Sequence, residues 1–194
     1  MQNLVPYMDP FFGNGTIDLP KPEGIAATWF FIKAQTGNTH PGACAPLSMI
    51  SAGAYTGAYP TGYGLNAPNT HATPPQYLDR LAAKGFAHLQ QSGTGAIESY
   101  YNYFLVTPLA ESGLETLGTR WPLVDERASP AYYKTTLAGT GIRAELTATP
   151  AAVLHRYTFS AGERAQVAVD FAGGGIDFSR GRTRPSAGEV ALVG

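Results

Sequence analysis

Charged residues are scarce in this sequence, and cysteine is almost absent. Only 14% of the 194 residues are charged, the formal net charge is −1, and no basic block is present, so nucleic acid is not expected as a partner. No run approaches the roughly 20 apolar residues of a membrane span, so no membrane association is expected either. The one cysteine, Cys44, excludes an internal disulfide, and its small apolar neighbours predict a buried structural thiol.

The N-terminal end lacks a targeting signal, and the C-terminal end lacks an element that would pair with its last strand. The segment MQNLVPYMDP has no basic region followed by an apolar one, so no secretory signal is predicted and a cytoplasmic location is the default expectation. The other end stops on a short apolar strand, residues 190–193, with no closing element. Because an unpaired apolar strand is unfavourable, this end predicts that the chain is the N-terminal part of a longer protein.

No residue pattern in the sequence identifies a catalytic or metal-binding group. The four histidines lack the H-E-x-x-H spacing of a helical zinc site. A glycosidase needs two carboxyl groups on either side of the scissile bond, but no acid here has a distinctive setting. Asp125 and Glu126, next to Arg127, are predicted to lie solvated in a hairpin loop. We therefore assign no catalytic residue and no metal ligand.

The abundant residue types favour a mainly β fold, an antiparallel β-sandwich formed by a single domain over residues 1–194. Glycine (23) and proline (15) separate short segments rich in aromatic and β-branched residues. Residues 142–149 alternate strictly between apolar and polar, which predicts a strand with one buried face. An antiparallel meander is predicted over residues 130–172, with His155 half-buried beside Val153 and Tyr157. We also predict a long loop over residues 52–72 and one short helix over residues 74–84.

Residues suited to carbohydrate binding are present, although each has an ordinary structural alternative. Aromatic rings can cover the apolar face of a sugar while nearby polar groups satisfy its hydroxyls. Trp29 is predicted to lie in the core, and Trp121 remains open between the core and a binding surface. The tyrosines of the long loop are further candidate platforms: Tyr55, Tyr59 and Tyr63. Polar groups beside glycine turns, near His40 and His88, form the remaining candidate positions.

Five segments carry recognisable motifs: MDPFFGNG (8–15), NTHPGACAPLSMI (38–50), GFAHLQQSGTG (85–95), ERASPAYYKTTL (126–137) and GIRAELTATPAAVLHRYTF (141–159). In this order they are similar to V-N-P-F-I-G-T-G, N-T-F-P-G-A-x-x-P-F-G-M-V, G-F-S-H-T-H-L-S-G-T-G, E-E-A-S-P-G-Y-Y-x-V-x-L and G-I-x-A-E-L-T-A-T-x-R-A-G-x-H-R-Y-x-F. Together they resemble the N-terminal domain of glycoside hydrolase family 92, the calcium-dependent exo-α-mannosidases.

The resemblance implies a galactose-mutarotase-like β-supersandwich that precedes a larger (α/α)6 helical domain in the full enzyme. In that family the general acid, the general base and most calcium contacts lie in the helical domain. Calcium is therefore expected to bind mainly outside this chain, and the helical catalytic domain is the expected protein partner. The N-terminal domain is expected to contribute one wall of an α-mannoside pocket and to be inactive in isolation. The family is often secreted or periplasmic.

The resemblance also implies which residues line that wall. The matching positions are Gly15, Thr39, Pro41, Gly42, His88, Ser92, Gly93 and Thr94. Three departures lie beside them: Asn14 stands where the family has threonine, His40 where it has phenylalanine, and Gln90 where it has a second histidine. We keep these three as substrate-binding candidates because their side chains are polar. A stand-alone carbohydrate-binding module and a purely structural fragment remain as alternative hypotheses.

Overall fold

The computed structural model describes residues 3–15, 23–25, 39–58, 61–65, 80–90, 104–110 and 113–170. Within these ranges the chain consists mainly of short β-strands, with 3-10 helices at Val5–Tyr7 and Gly113–Thr116. The strands are β1 (Ala43–Cys44), β2 (Ser51–Tyr55), β3 (Ala82–Ala83), β4 (Gly85–Ala87), β5 (Leu105–Leu109), β6 (Trp121–Ser129), β7 (Tyr132–Leu137), β8 (Ile142–Ala148), β9 (Val153–Thr158) and β10 (Gln166–Asp170). The described part of the chain holds no helix with the length and apolarity that crossing a bilayer requires.

The strands form two antiparallel sheets that pack against each other. The first sheet has the order β1-β2-β4-β5-β10, and the second has the order β3-β6-β7-β8-β9. Strands β1 and β2 contact β8 across the interface, and the main apolar cluster combines Phe86 of the first sheet with Tyr133 and Leu146 of the second. The predicted mainly β, antiparallel sandwich is therefore confirmed.

Strand β8 confirms the predicted alternation on its apolar face. Ile142, Ala144, Leu146 and Ala148 are all buried, and Leu146 is 0% exposed. Burial of one Leu or Ile side chain stabilises a fold by about 1.5–3 kcal/mol. The strand therefore anchors the second sheet on the core, and its neighbours β7 and β9 follow its register.

Glu145, on the predicted polar face of β8, is covered by side chains of the two neighbouring strands. The Tyr132 hydroxyl donates to its Oε1 at 2.8 Å, and Arg156 donates through Nε and Nη2 at 2.9 and 2.6 Å. This forked pairing is the strong form of a carboxylate contact. The hydrogen bonds from Arg156, and then from Tyr132, lower the pKa of Glu145 to about 2.

The Glu145→Gln variant is expected to lose less stability in acid than the wild type. Because the pKa of Glu145 is lower in the folded chain than its ordinary value of 4.5, its contribution is present above pH 4.5 and is lost as the pH falls towards 2. Urea unfolding at pH 7, 4 and 2.5 should show that the free energy of unfolding falls less with decreasing pH in the glutamine variant than in the wild type. Glu163→Gln, in the turn before β10, serves as the matched control. An equal fall in the free energy of unfolding between pH 7 and pH 2.5 in wild type and Glu145→Gln would contradict this prediction.

The meander predicted over residues 130–172 is correct only up to β9. Strands β6 to β9 are sequential antiparallel neighbours, but β10 leaves the second sheet and pairs with β5 of the first. The connection over residues 159–165 contains Gly162 at φ +88° and is long enough to pass between the sheets. An alternating strand pattern does not reveal which sheet a strand joins, so the sequence had no signal for this crossover.

Two further predicted elements differ from the structure. Residues 52–55 of the expected long loop belong to β2, whose small side chains allow close pairing with β1 and β4. The expected helix over residues 74–84 is absent from its described part, because Ala82–Ala83 form β3 and pair with β6. Residues 74–79 lie outside the described ranges, as does Trp29, which was predicted to lie in the core.

Cys44 is exposed, contrary to the buried thiol that its neighbours predicted. The alternation of side chains along β1 explains the difference, since Ala43 points into the core and is 0% exposed while Cys44 points outward. A strand of only two residues has no repeating pattern that predicts which side chain faces the core.

Candidate functional site

Three of the sequence-predicted binding residues meet in one cleft beside β1 and β2. The cleft has a volume of about 300 Å³, and His40, Gly42 and Gln90 lie in its wall. Its remaining lining residues are Cys44, Ser48, Met49, Ile50, Ser51 and Leu89. Residues 40–44 enter β1, residues 48–51 lead into β2, and residues 89–90 follow β4, so this edge of the first sheet brings together two of the five motifs, 38–50 and 85–95.

His40 is held rigidly in this cleft by hydrogen bonds to both ring nitrogens. The Gly42 backbone N–H donates to Nδ1 at 3.2 Å, and the Ser51 hydroxyl lies 2.9 Å from Nε2. Burial lowers the pKa of His40 to about 4, against the opposing effect of a hydrogen bond to the Gln90 backbone. The ring is therefore neutral at pH 7. Since Nδ1 accepts, Nε2 carries the proton.

Glycines make room for the polar side chains of the cleft. An ideal Cβ on Gly42 would lie 2.7 Å from the Ala52 carbonyl oxygen, and one on Gly53 would lie 2.6 Å from Gln90 Oε1. Gln90 is 2% exposed, and its Nε2 donates to the Ala54 carbonyl at 2.8 Å. Its Oε1 is buried and has no hydrogen-bond partner within the described ranges.

A larger and more apolar groove adjoins this cleft. Its volume is about 790 Å³, and it shares His40, Gly42 and Cys44 with the cleft. The other lining residues are Tyr7, Met8, Asp9, Pro10, Phe12, Ala45, Pro46, Leu47, Ser129 and Pro130. Several of these side chains are well exposed, including Phe12 and Leu47. An apolar groove next to a few fixed polar groups is the usual composition of a small-ligand site.

The opening motif is tied to the same region through Thr39. The Thr39 hydroxyl donates to the Phe12 carbonyl at 2.8 Å, and a Cβ on Gly13 would lie 3.1 Å from the Thr39 side chain. Asn14 Nδ2 is buried and has no partner among the described residues, whereas a Cβ on Gly15 would meet no atom within 4 Å. Thr39 therefore has a packing role, and Asn14 presents an unsatisfied donor.

His88 does not line either cavity but lies between the two sheets. Its Nε2 is 2.8 Å from His155 Nε2, and its ring stacks on Phe104 with the ring centroids 4.7 Å apart. His155 continues to the Tyr157 hydroxyl, which lies 2.7 Å from Nδ1. The predicted placement of His155 beside Tyr157 as a half-buried, hydrogen-bonded residue is confirmed. Ser92, Gly93 and Thr94 lie outside the described ranges.

The tyrosines proposed as sugar platforms are buried instead. Tyr55 is 3% and Tyr63 4% exposed, while Tyr59 lies outside the described ranges. Trp121, which the sequence left open, is partly buried and packs against the main apolar cluster. Because residues 51–55 fold as β2, Tyr55 joins one apolar cluster, and Tyr63 in the turn that follows joins the main one.

Glu126 is the acid that sequence reasoning placed wrongly. It lies in the continuous strand β6, at a register shift between Val124 and Arg127, and not in a solvated hairpin loop. The hydroxyl of Tyr133 donates to its Oε1 at 2.5 Å, and the hydroxyl of Tyr63 at 3.0 Å. Burial raises the pKa of Glu126, and these hydrogen bonds oppose that effect. It lines neither cavity, so its role is to hold residues 61–65 on the second sheet.

Metal-ligating side chains do not cluster in the described ranges. No group of three or more His, Cys, Asp or Glu residues there is arranged to hold an ion. The cleft is lined by no acid, and the adjoining groove by Asp9 alone among the described residues. The site can therefore bind and orient a polar ligand, but these residues do not form a pair of acids for glycoside hydrolysis.

Comparisons with known proteins agree on one family. The profile of the glycosyl hydrolase family 92 N-terminal domain matches residues 7–192. A solved family GH92 α-mannosidase from Bacteroides thetaiotaomicron shares 25% identity over 88% of this chain, with a TM-score of 0.58. The structure of this enzyme in complex with mannoimidazole shares 24% identity over 90% of this chain, with a TM-score of 0.61. Each match covers 20% of the solved chain, so this chain spans about one fifth of that length. A comparison with curated proteins found no match.

Proposed function

Because the chain belongs to the glycosyl hydrolase family 92 N-terminal domain family, we propose that it is the substrate-side, carbohydrate-binding module of an α-mannosidase. The observation that carries the proposal is the convergence of His40, Gly42 and Gln90 on one cleft beside an apolar groove. Gly42 matches a motif through which the sequence resembles the family, whereas His40 and Gln90 stand where the family has phenylalanine and histidine. The complex of the Bacteroides enzyme with mannoimidazole supports a mannoside as the ligand class.

In this module the polar and apolar parts of the site have separate tasks. The His40 ring, oriented by Gly42 and Ser51, and Gln90 supply the polar wall of the cleft for sugar hydroxyls. The groove that contains Phe12 and Leu47 offers apolar surface to a sugar face or to a neighbouring domain. Proton transfer to the glycosidic oxygen falls to carboxyl groups of the helical domain that the family resemblance implies.

Calcium, which the family resemblance implies for the full enzyme, does not fit the residues described here. Calcium prefers six to eight oxygen ligands, with several carboxylates among them. The described residues offer no cluster of three or more potential ligands. We therefore derive no step of binding or chemistry through calcium from this chain.

We expect purified 1–194 to bind methyl α-mannoside weakly and not to hydrolyse it. One wall of a pocket supplies only part of the contacts, so a Kd of about 1 mM or weaker, roughly −4 kcal/mol, is expected by titration calorimetry. Aryl α-mannosides with calcium present should show no release of the aryl group. His40→Ala should weaken binding, whereas Leu154→Ala, outside both cavities, should leave it unchanged.

Three results would contradict this proposal in different ways. Aryl mannoside turnover at enzyme-like rates would mean that the chain itself carries the acids. Micromolar binding would favour a stand-alone carbohydrate-binding module. No binding of methyl α-mannoside at any reachable concentration, with a folded protein, would leave a structural role as the better interpretation.

A further inference from the structure

Ser51 is a polar residue of the cleft to which the family resemblance assigns no role. It begins β2, is half-buried and lies in the wall of the cleft beside His40. Both of its backbone groups are used at the sheet edge, since its N–H donates to the His88 carbonyl at 3.0 Å and its carbonyl accepts from the Gln90 N–H at 3.1 Å. Its hydroxyl oxygen lies 2.9 Å from His40 Nε2, which is the partner that the described residues give it.

The direction of the hydrogen bond between Ser51 and His40 follows from the backbone of Gly42. The Gly42 N–H donates to His40 Nδ1 at 3.2 Å, so this nitrogen carries no proton. Burial lowers the pKa of His40 to about 4, so the ring is neutral at pH 7 and its one proton lies on Nε2. A protonated Nε2 cannot accept from Ser51. The Ser51 oxygen is therefore the acceptor, and its own proton points away from the ring.

The other polar side chains of the cleft already have partners within the protein. Ser48 Oγ donates to a backbone carbonyl at 2.6 Å, and Gln90 Nε2 donates to another at 2.8 Å. The Cys44 thiol contacts a carbonyl oxygen at 3.5 Å. Among the described lining residues, Ser51 is thus the one whose hydroxyl proton is left for a molecule in the cleft. Polar groups of this kind are completed by water or by a ligand.

His40 is also a position at which this chain departs from the family pattern. The family has phenylalanine there, and a phenylalanine ring has no N–H that would occupy the Ser51 oxygen. Histidine holds that oxygen as an acceptor and leaves its proton as a donor. The requirement for an acceptor oxygen in the ligand is therefore particular to this sequence.

We propose that Ser51 is a specificity-determining residue that donates its hydroxyl proton to an oxygen of the bound mannoside, and that His40 is its positioning residue. This proposal rests on the function proposed above and adds a contact that the family resemblance does not assign. The hydroxyl is oriented before the ligand arrives, which lowers the entropy cost of binding. A site that hydrogen-bonds one hydroxyl group of a substrate discriminates against the analogue that lacks it.

Nitrogen-15 NMR of the histidine rings in ligand-free 1–194 at pH 7 tests the arrangement without any sugar. We expect the proton of His40 on Nε2 both in the wild type and in Ser51→Ala, because Gly42 fixes the tautomer from the other side of the ring. His40→Ala identifies the resonances of this ring. A proton on Nδ1 of His40 in the wild type would make Ser51 the donor to the ring and would overturn the proposal, whatever the sugar does.

NMR titrations with methyl α-mannoside and its monodeoxy forms, each lacking one hydroxyl, test the contact with the ligand. In the wild type, at least one monodeoxy form should bind roughly fivefold more weakly than the parent sugar, the equivalent of one hydrogen bond. Ser51→Ala should bind the parent about fivefold more weakly than the wild type and should no longer distinguish that form from it. Ser160→Ala, exposed and outside both cavities, is the matched control and should keep the wild-type preferences.

The positioning role of His40 has its own test. The side-chain N–H of glutamine can take the place of Nε2–H, so His40→Gln should retain more discrimination between the parent sugar and its monodeoxy form than His40→Ala. Equal loss of discrimination in these two variants would overturn the role of His40.

The failures of the two proposals are distinguishable. A folded Ser51→Ala protein that keeps the wild-type preference among these sugars, at any affinity, would overturn Ser51 as the donor and leave the cleft as the binding site. A wild type that binds none of the sugars would overturn the proposed function together with the sugar contact.

Discussion

Replacing Glu126 by leucine is expected to lower the free energy of unfolding by about 2–4 kcal/mol, because two buried tyrosine hydroxyls would lose their acceptor. Tyr133 is 0% exposed and Tyr63 4% exposed, so water does not replace the carboxylate. Both hydroxyls donate to Oε1 of Glu126. Urea unfolding at pH 7, monitored by tyrosine and tryptophan fluorescence, measures the change.

Glu126→Gln is the matched control for this prediction. Glutamine retains an oxygen in the same position, so it can still accept from Tyr133 and Tyr63 and should cost much less than leucine. A double-mutant cycle gives a second check, since Tyr133→Phe combined with Glu126→Leu removes both partners and should cost less than the sum of the single changes. Equal losses for leucine and glutamine would mean that the acceptor at this position does not matter.

Replacing Gly42 by alanine is expected to destabilise the chain by about 1–3 kcal/mol and to abolish measurable mannoside binding, because the new methyl group has no space. Its carbon would lie 2.7 Å from the Ala52 carbonyl oxygen and 3.0 Å from His40 Nδ1. The first contact is with backbone of β2, which cannot turn away as a flexible side chain could. The second displaces the His40 ring, which forms part of the proposed site.

Gly15→Ala provides the control, since its methyl group would meet no atom within 4 Å. Thermal unfolding should give a nearly wild-type value for Gly15→Ala and a clearly lower value for Gly42→Ala. In titrations with methyl α-mannoside, Leu154→Ala should bind like the wild type and Gly42→Ala should not. If Gly42→Ala unfolds too easily for a binding measurement, His40→Ala probes the ring without adding a clash with β2. A stable, binding-competent Gly42→Ala protein would rule out the close approach of these two segments.

The predictions from sequence were most successful where local periodicity and burial agree. Strand β8 alternates as expected, and its neighbours β7 and β9 follow it in sequence with short turns, so the centre of the second sheet could be predicted. Strand β10 could not be placed, because an alternating pattern is compatible with either sheet. The residues of the expected long loop were misplaced because small residues and glycines, typical of loops, also permit the close strand pairing seen at β2.

For the site, the motifs located the positions but not their partners. His40, Gly42 and Gln90 were all selected from sequence and meet in one cleft. Nothing in the sequence indicated that Ser51 contacts His40 or that Gly53 packs under Gln90. Such contacts join segments far apart in the chain, and they depend on the register between β1, β2 and β4, which no local pattern specifies.

The sequence alone determined the β-rich class of this protein and its resemblance to the family 92 N-terminal domain, because turn residues, strand periodicity and motif order are properties of the linear chain. Only the tertiary structure decided which polar side chains are paired and which have an unsatisfied atom. Glu126 became a partly buried acceptor for two tyrosines, Cys44 an exposed thiol, and His88 the end of a hydrogen-bond chain, since burial and pairing arise only when the two sheets pack together.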